Sequence, residues 1–142
     1  MAIVRKASVV WIGDIKSGKG EVSTESGALS GYPYGFAARF EGAKGSNPEE
    51  LLGAAHASCF TMAVAAELAK AGLTAERMET KARVTLDKEG DGWAITASHL
   101  SLQASIPGAD DATFQKLAAT AKANCPLSKA IKADISLDAV LK

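Results

Sequence analysis

The segment from Ser46 to Gly72 constrains this chain more than any other, because it reads as one long helix with an almost uncharged middle. Ser46 or Asn47 can cap it, Pro48 suits the first helical position, and Glu49 and Glu50 complement the positive end of the helix dipole. From Leu51 to Ala66 the only ionisable side chains are His56 and Cys59. Gly72 is placed to end the helix after about Ala71. A helix that is apolar around most of its circumference has to be enclosed by other elements. Gly53, Ala54, Ala57 and Ala65 are small enough to let one of them approach closely. The uncharged run is shorter than the roughly 20 residues that span a bilayer. It is therefore expected to be the central helix of a soluble protein, with no membrane partner.

Strand signals surround it. Val4 to Ile12 is rich in β-branched residues, Gly13-Asp14 and Lys16 to Gly20 read as turns, and Glu21 to Thr24 suits a return strand. Between Gly27 and Gly45, Gly31, Pro33, Gly35 and Gly42 keep structure short, with Ala37 to Glu41 expected as a strand. Met78, Thr80, Ala82, Val84 and Leu86 alternate with polar residues, the pattern of a half-buried strand. Lys88 to Gly92 turns the chain. Trp93, Ile95 and Ala97 continue with odd parity, and Leu100, Leu102, Ala104 and Ile106 take over with even parity. That switch predicts a β-bulge near Ser98-His99 and makes His99 a bulge or surface residue. Asp110 or Asp111 should cap a second helix reaching about Ala123, with Phe114, Leu117, Ala118 and Ala121 inward. Pro126 opens a short helix to Ile131, and Ile135, Leu137, Ala139 and Leu141 form a closing strand. The order predicts an α+β fold, helices on antiparallel sheet, in a single domain over residues 1–142.

Composition removes several functions. Sixteen basic residues balance sixteen acidic ones, so no net field draws the chain to nucleic acid. Met1 to Lys6 lacks the apolar stretch of a secretory signal, which makes the cytoplasm the expected location. Two histidines, His56 and His99, and no Cys-x-x-Cys pair give no zinc-site spacing. Gly18-Lys19-Gly20 lacks the spacing of a phosphate loop and suits a hairpin turn.

The chain has only two cysteines. Cys59 lies in the central helix and Cys125 between Asn124 and Pro126, where one helix must end and another begin. In a reducing compartment any disulfide between them would be transient or catalytic. Cys59 alone reads equally well as a small apolar core residue. A thiol at the start of a helix faces unpaired N–H groups that favour the thiolate, which suits Cys125. A structural and a redox reading both stand on these grounds.

Gly13-Asp14-Ile15-Lys16, Gly18-Lys19-Gly20, Ser23 to Gly27, Arg39-Phe40-Glu41-Gly42, Asn47-Pro48-Glu49-Glu50-Leu51, Ala54-Ala55-His56-Ala57 with Cys59-Phe60, and Cys125-Pro126 together resemble the OsmC branch of the OsmC/Ohr family (osmotically inducible protein C and organic hydroperoxide resistance proteins). The resemblance runs through essentially the whole chain in order. It implies an OsmC-like fold, antiparallel sheets packed around central helices in an intertwined homodimer. It also implies a thiol-dependent peroxidase acting on organic hydroperoxides, with hydrogen peroxide as a second candidate, and with no metal, flavin or haem cofactor. Cys59 resembles the peroxidatic thiol, Cys125 the resolving thiol, and Arg39 with Glu49 the pair that serves the thiolate. A sulfenic acid on Cys59 would condense with Cys125 to a disulfide, which a cellular dithiol reduces. For the Ohr branch that dithiol is of lipoyl type.

Glu50 is the alternative to Glu49, and His56, three residues before Cys59, is either a proton donor or a core or interface histidine. Phe36, Phe40, Phe60, Met62 and Phe114 either wall an apolar pocket or belong to the core. Ten residues separate Glu49 from Cys59, which on one helix means about 15 Å and roughly 80° of rotation. An arginine held by Glu49 would then serve the Cys59 of a second chain across a dimer interface, unless it lies between the two along the helix. The non-enzymatic alternative is a dimeric domain that binds apolar ligands or senses oxidation. A disulfide isomerase is disfavoured because the cysteines are not a local pair. A hydrolase built on Cys59 and His56 lacks an orienting acid.

Overall fold

The strand signals of the N-terminal third produce a three-stranded antiparallel sheet in the computed structural model, which describes residues Met1–Lys142. Its strands are β1 (Ala7–Ile12), β2 (Lys19–Thr24) and β3 (Tyr32–Tyr34), side by side in that order. The β1–β2 turn is held by Asp14, whose carboxylate accepts the N–H groups of Lys16 at 2.8 Å and Ser17 at 2.9 Å. Gly20 pairs with Tyr34, and a Cβ there would lie 2.2 Å from the tyrosine ring, so a larger residue would have to push that ring aside. The chain forms two compact units, Met1–Leu51 and Leu52–Lys142.

Ala37 to Glu41, expected as a strand, is instead helix α1 (Phe36–Phe40). Two signals point to helix there. Ala37, Ala38 and Arg39 are good helix formers, and Phe36 and Phe40 stand at i and i+4, where their rings meet at 4.9 Å. Gly42, at φ +72°, turns the chain out of it.

Helix α2 (Pro48–Lys70) begins and ends where its caps predict. Asn47, not Ser46, caps it: the Asn47 side chain accepts the Glu50 N–H at 2.8 Å, while Ser46 is buried. Gly72, at φ +72°, stops it. Enclosure is only partial within one chain. Phe60, Val64 and Leu68 face the core, while Ala54, Ser58, Met62 and Ala65 form an exposed stripe of small and apolar residues. The helix is long and apolar enough to cross a bilayer, yet its inner side is taken up by protein. Gly53 lies against Ala82 and Val84, and Thr61 bonds Thr80 at 2.6 Å.

In the second unit β4 (Arg77–Glu89), β5 (Gly92–Ser105) and β6 (Asp134–Leu141) form a sheet in that order. The bulge exists but sits earlier than expected. Thr85 pairs with Ala97 and Leu86 with Ile95, leaving Thr96 as the extra residue. Beyond it the inward face of β5 is Ser98, Leu100, Leu102 and Ala104, so Ser98 is a buried residue and not the bulge. His99 points the other way, half-buried, with Nδ1 at 2.5 Å from the Ser136 hydroxyl and Nε2 at 3.1 Å from the Asp138 carboxylate.

The sheet is also mixed, where a wholly antiparallel one was expected: β4–β5 is antiparallel but β5–β6 is parallel. Two helices, α3 (Asp111–Asn124) and α4 (Pro126–Ala130), make the crossover that a parallel pair requires. Asp110 caps α3 by accepting the Thr113 N–H at 2.8 Å. Because β6 starts opposite Ala97 and Ser98, the crossover has to return to that end of β5. Phe114, Ala118 and Ala121 of α3 join Phe60, Leu68, Leu100 and Leu102 in one core. Truncating Phe114, 1% exposed, to alanine is expected to cost about 3–5 kcal/mol of stability, read as a lowered midpoint in urea unfolding.

Candidate active site

Both thiols lie in the second unit and both are free. Cys59 lies at the middle of α2, half-buried and packed against the core cluster that contains Cys125. Cys125 is fully buried at the junction of α3 and α4. Pro126 makes this junction, since it opens α4 and cannot continue α3. Cys125 is then the N-cap of α4, and its sulfur accepts the Ser128 N–H at 3.3 Å.

The two sulfurs act on each other, in opposite directions. Burial pushes the Cys59 thiol above its ordinary value. A backbone hydrogen bond from Leu127 opposes this, and a hydrogen bond and like-charge repulsion from Cys125 reinforce it. Burial works against ionisation of Cys125 too. There the hydrogen bonds from the Ser128 side chain and backbone, with those of Cys59 and Leu127, outweigh it and bring the thiol down. Within this unit no cation offsets the cost of a thiolate at Cys59.

His56 stands one turn before Cys59 and is completely buried, at 0% exposure. Its Nδ1 is 2.7 Å from the Ser98 hydroxyl and its Nε2 is 2.9 Å from the Ser128 hydroxyl. Burial lowers its pKa. Ser128 in turn receives the Cys125 thiol at 3.4 Å. Ser98 and Ser128 carry no signal in the sequence beyond their polarity. Only the third position after a helix-capping residue marks Ser128, and only parity beyond the bulge marks Ser98.

In the first unit Arg39 and Glu49 meet. The Arg39 Nε donates to both carboxylate oxygens, at 3.1 and 3.3 Å, and Nη2 donates to Oε1 at 2.7 Å. Glu49 is buried and Glu50 exposed, so the choice between the two falls on Glu49. A two-pronged bond to a buried carboxylate fixes the guanidinium plane and leaves Nη1 without a carboxylate partner. Arg39 lines a cavity of about 250 Å³ with Trp11, Ile15, Tyr34, Phe36 and Phe40. Phe36 and Phe40 are thus wall residues. Phe60 and Phe114 are core, and Met62 lines an open groove of about 520 Å³ along the exposed stripe of α2.

An α+β fold carrying two free, interacting thiols, one of them capping a helix at a buried junction, has the groups that cysteine redox chemistry requires. Residues 41–139 match the family described as OsmC-like protein. The chain is 53% identical to Peroxiredoxin OsmC of Escherichia coli (strain K12) over 142 residues, covering 100% of this chain and 99% of that one. It is 29% identical over 106 residues to the organic hydroperoxide resistance protein of Xanthomonas axonopodis pv. citri, covering 70% of this chain and 69% of the other. Its fold matches an OsmC-like protein of unknown function from Vibrio cholerae with a TM-score of 0.77 at 17% identity, covering 98% and 100% of the two chains. The chain belongs to the OsmC-like family.

Proposed function

We propose that this protein is a thiol-dependent peroxidase that reduces organic hydroperoxides in the cytoplasm, with Cys59 as the attacking thiol and Cys125 as the resolving one. The observation that carries this reading is the pair of sulfurs acting on each other inside one core, together with full-length similarity to a named peroxiredoxin. Exposure supports the division of roles. Cys125 is sealed at 0% and Cys59 is only half-buried, so a peroxide reaches Cys59 first. The Cys59 thiolate attacks the O–O bond, the distal part leaves as an alkoxide that becomes the alcohol, and the sulfur keeps the hydroxyl as a sulfenic acid. Condensation with Cys125 releases water, and a dithiol reductant, lipoyl-type among the candidates, restores both thiols by exchange.

Arg39 and Glu49 enter this proposal through a second copy of the chain. Cys59 needs a cation that its own unit does not supply. The exposed stripe Ala54, Ser58, Met62 and Ala65 on α2, and the exposed Val9, Val10 and Ile12 of β1, are apolar surface that a homodimer would cover. Packing α2 against its partner copy would carry the Arg39–Glu49 pair of one chain toward the Cys59 of the other.

Cys125→Ser supplies the test. The wild-type protein should consume tert-butyl hydroperoxide continuously while a dithiol is present. The variant should consume one equivalent per chain and then stop or slow sharply, with sulfenic acid trapped at Cys59 by dimedone. Full turnover by the variant would remove Cys125 from the cycle. Binding of apolar molecules with no peroxide consumed by the wild type would favour a non-enzymatic binding domain.

A further inference from the structure

Resting on the peroxidase reading above, we propose that Ser98, His56 and Ser128 form a buried proton relay for the resolving thiol Cys125, with Ser128 touching the sulfur and His56 acting through it as a positioning and proton-holding residue. The four groups are joined in series across three elements. The Cys125 thiol donates to the Ser128 hydroxyl oxygen at 3.4 Å, the Ser128 hydroxyl lies 2.9 Å from His56 Nε2, and His56 Nδ1 lies 2.7 Å from the Ser98 hydroxyl. When Cys125 is protonated, donors and acceptors alternate along the whole chain in one tautomer of His56. The Cys125 S–H points to Ser128, the Ser128 O–H points to His56 Nε2, and His56 keeps its own proton on Nδ1, donated to Ser98.

That arrangement lets one proton shift along the chain without any side chain moving. The Ser128 proton passes to His56 Nε2 as the Cys125 proton passes to the Ser128 oxygen. Cys125 becomes a thiolate that still receives the Ser128 N–H at 3.3 Å. The thiolate attacks the sulfenic sulfur of Cys59, forming the S–S bond and breaking the S–O bond. The hydroxide that leaves takes up a proton, which His56 gives back through Ser128 after the step, and departs as water. Cys125 sulfur is oxidised and Cys59 sulfur is reduced by the same amount, so the step needs no outside oxidant.

A base is needed because Cys125 has no route to solvent, being fully buried. His56 suits the role by its position, with one ring nitrogen on the hydroxyl that touches the sulfur. Burial keeps it neutral at rest and disfavours the imidazolium, so it holds the proton only while the Cys125 thiolate is present. The groups that face it are Cys59 on its own helix, Ser98 from β5, and Ser128 with Cys125 behind it from the α4 end. No carboxylate or ammonium acts on it. A purely structural histidine would be satisfied by any two polar partners. This one is bonded to the hydroxyl that touches the resolving sulfur.

The test has two arms in the full chain. In a Cys59→Ala background Cys125 is the only thiol, and its ionisation is followed by ultraviolet thiolate absorbance. Ser128→Ala and His56→Asn should each raise the midpoint by about one pH unit, a tenfold loss of thiolate near neutrality, whereas Ser128→Thr should leave it in place. With both cysteines present, one equivalent of tert-butyl hydroperoxide should form the sulfenic acid at the unaltered rate in Ser128→Ala. Disulfide formation should slow about tenfold at pH 7, and the gap should close once the pH passes the ordinary thiol range near 8.5. An unmoved midpoint in both variants, or a slowdown equal at every pH, overturns the relay. Should His56→Asn fail to fold, Ser128→Ala at its half-buried position decides alone. Absence of any sulfenic acid in the wild type would overturn the peroxidase reading, while the titration arm would still decide the relay.

Discussion

Arg39→Lys should lower kcat/KM for an organic hydroperoxide by about 100-fold, while the titration of Cys59 moves by less than about one pH unit. The reason is arithmetic. Lowering a thiol from about 8.5 to about 5.5 raises the thiolate fraction near pH 7.4 only about 13-fold. With a Brønsted coefficient of about 0.4, nucleophilicity falls roughly 16-fold over the same interval. The two effects cancel, so making thiolate is not what makes a peroxidase fast. The larger contribution has to come from holding the peroxide in line and receiving charge on the departing alkoxide, worth about 3–4 kcal/mol if the guanidinium behaves like an oxyanion-hole donor. In the proposed cycle the doubled bond between Arg39 and Glu49 would orient a planar fork for that task, and a lysine ammonium cannot reproduce the fork. Steady-state kinetics paired with thiol titration decides it. An unchanged rate alongside a raised Cys59 pKa would show that the arginine serves the thiolate alone.

Cys59→Ser should reduce peroxide consumption to the background of the dithiol itself, since a serine hydroxyl neither ionises in this range nor carries a sulfenic acid. The same variant reports on shared sites. In a two-fold dimer, random mixing of Cys59→Ser chains with Arg39→Ala chains makes half the molecules hybrids. If Arg39 serves the partner's thiol, each hybrid pairs one intact Arg39 with one intact Cys59 and holds one working site. Activity should then return to about a quarter of the wild-type value from two nearly inactive parents. Mixtures that stay inactive would place Arg39 and Cys59 of the same chain together.

How far the sequence reaches depends on whether a signal is local. The long helix was legible because Asn47, Pro48, Glu49 and Glu50 mark its start and Gly72 its end, and all of these act within one turn. The strand pair β4–β5 was legible from its alternation, but the bulge was misplaced, because a switch of parity between Ala97 and Leu100 does not say which strand partner is skipped. Pairing with Thr85 and Leu86 decides that, and it makes Thr96 the extra residue. Helix α1 is masked in the sequence by flanking glycines and a proline, which suggest short extended pieces, and its clearest helical signal is the Phe36–Phe40 spacing. The direction of β6 is invisible locally, since alternation is the same in parallel and antiparallel pairs. Cys59, Cys125, Arg39 and Glu49 stood out as residue types, and the meeting of Arg39 with Glu49 followed the resemblance. Ser98 and Ser128 did not stand out, because a serine bonded to a distant histidine looks like any other serine until the chain is folded.

The parallel placement of β6 beside β5 has a temporal consequence for a chain made from one end. Sixty-six positions separate Cys59 from Cys125, and at ~5–20 residues per second the ribosome needs roughly 3–13 s to cover them. Throughout that interval the first sulfur has no mate. An oxidant met then could drive it past the reversible stage to sulfinic acid. The second sulfur arrives with the crossover between β5 and β6, so the reversible cycle cannot begin until that segment has been made.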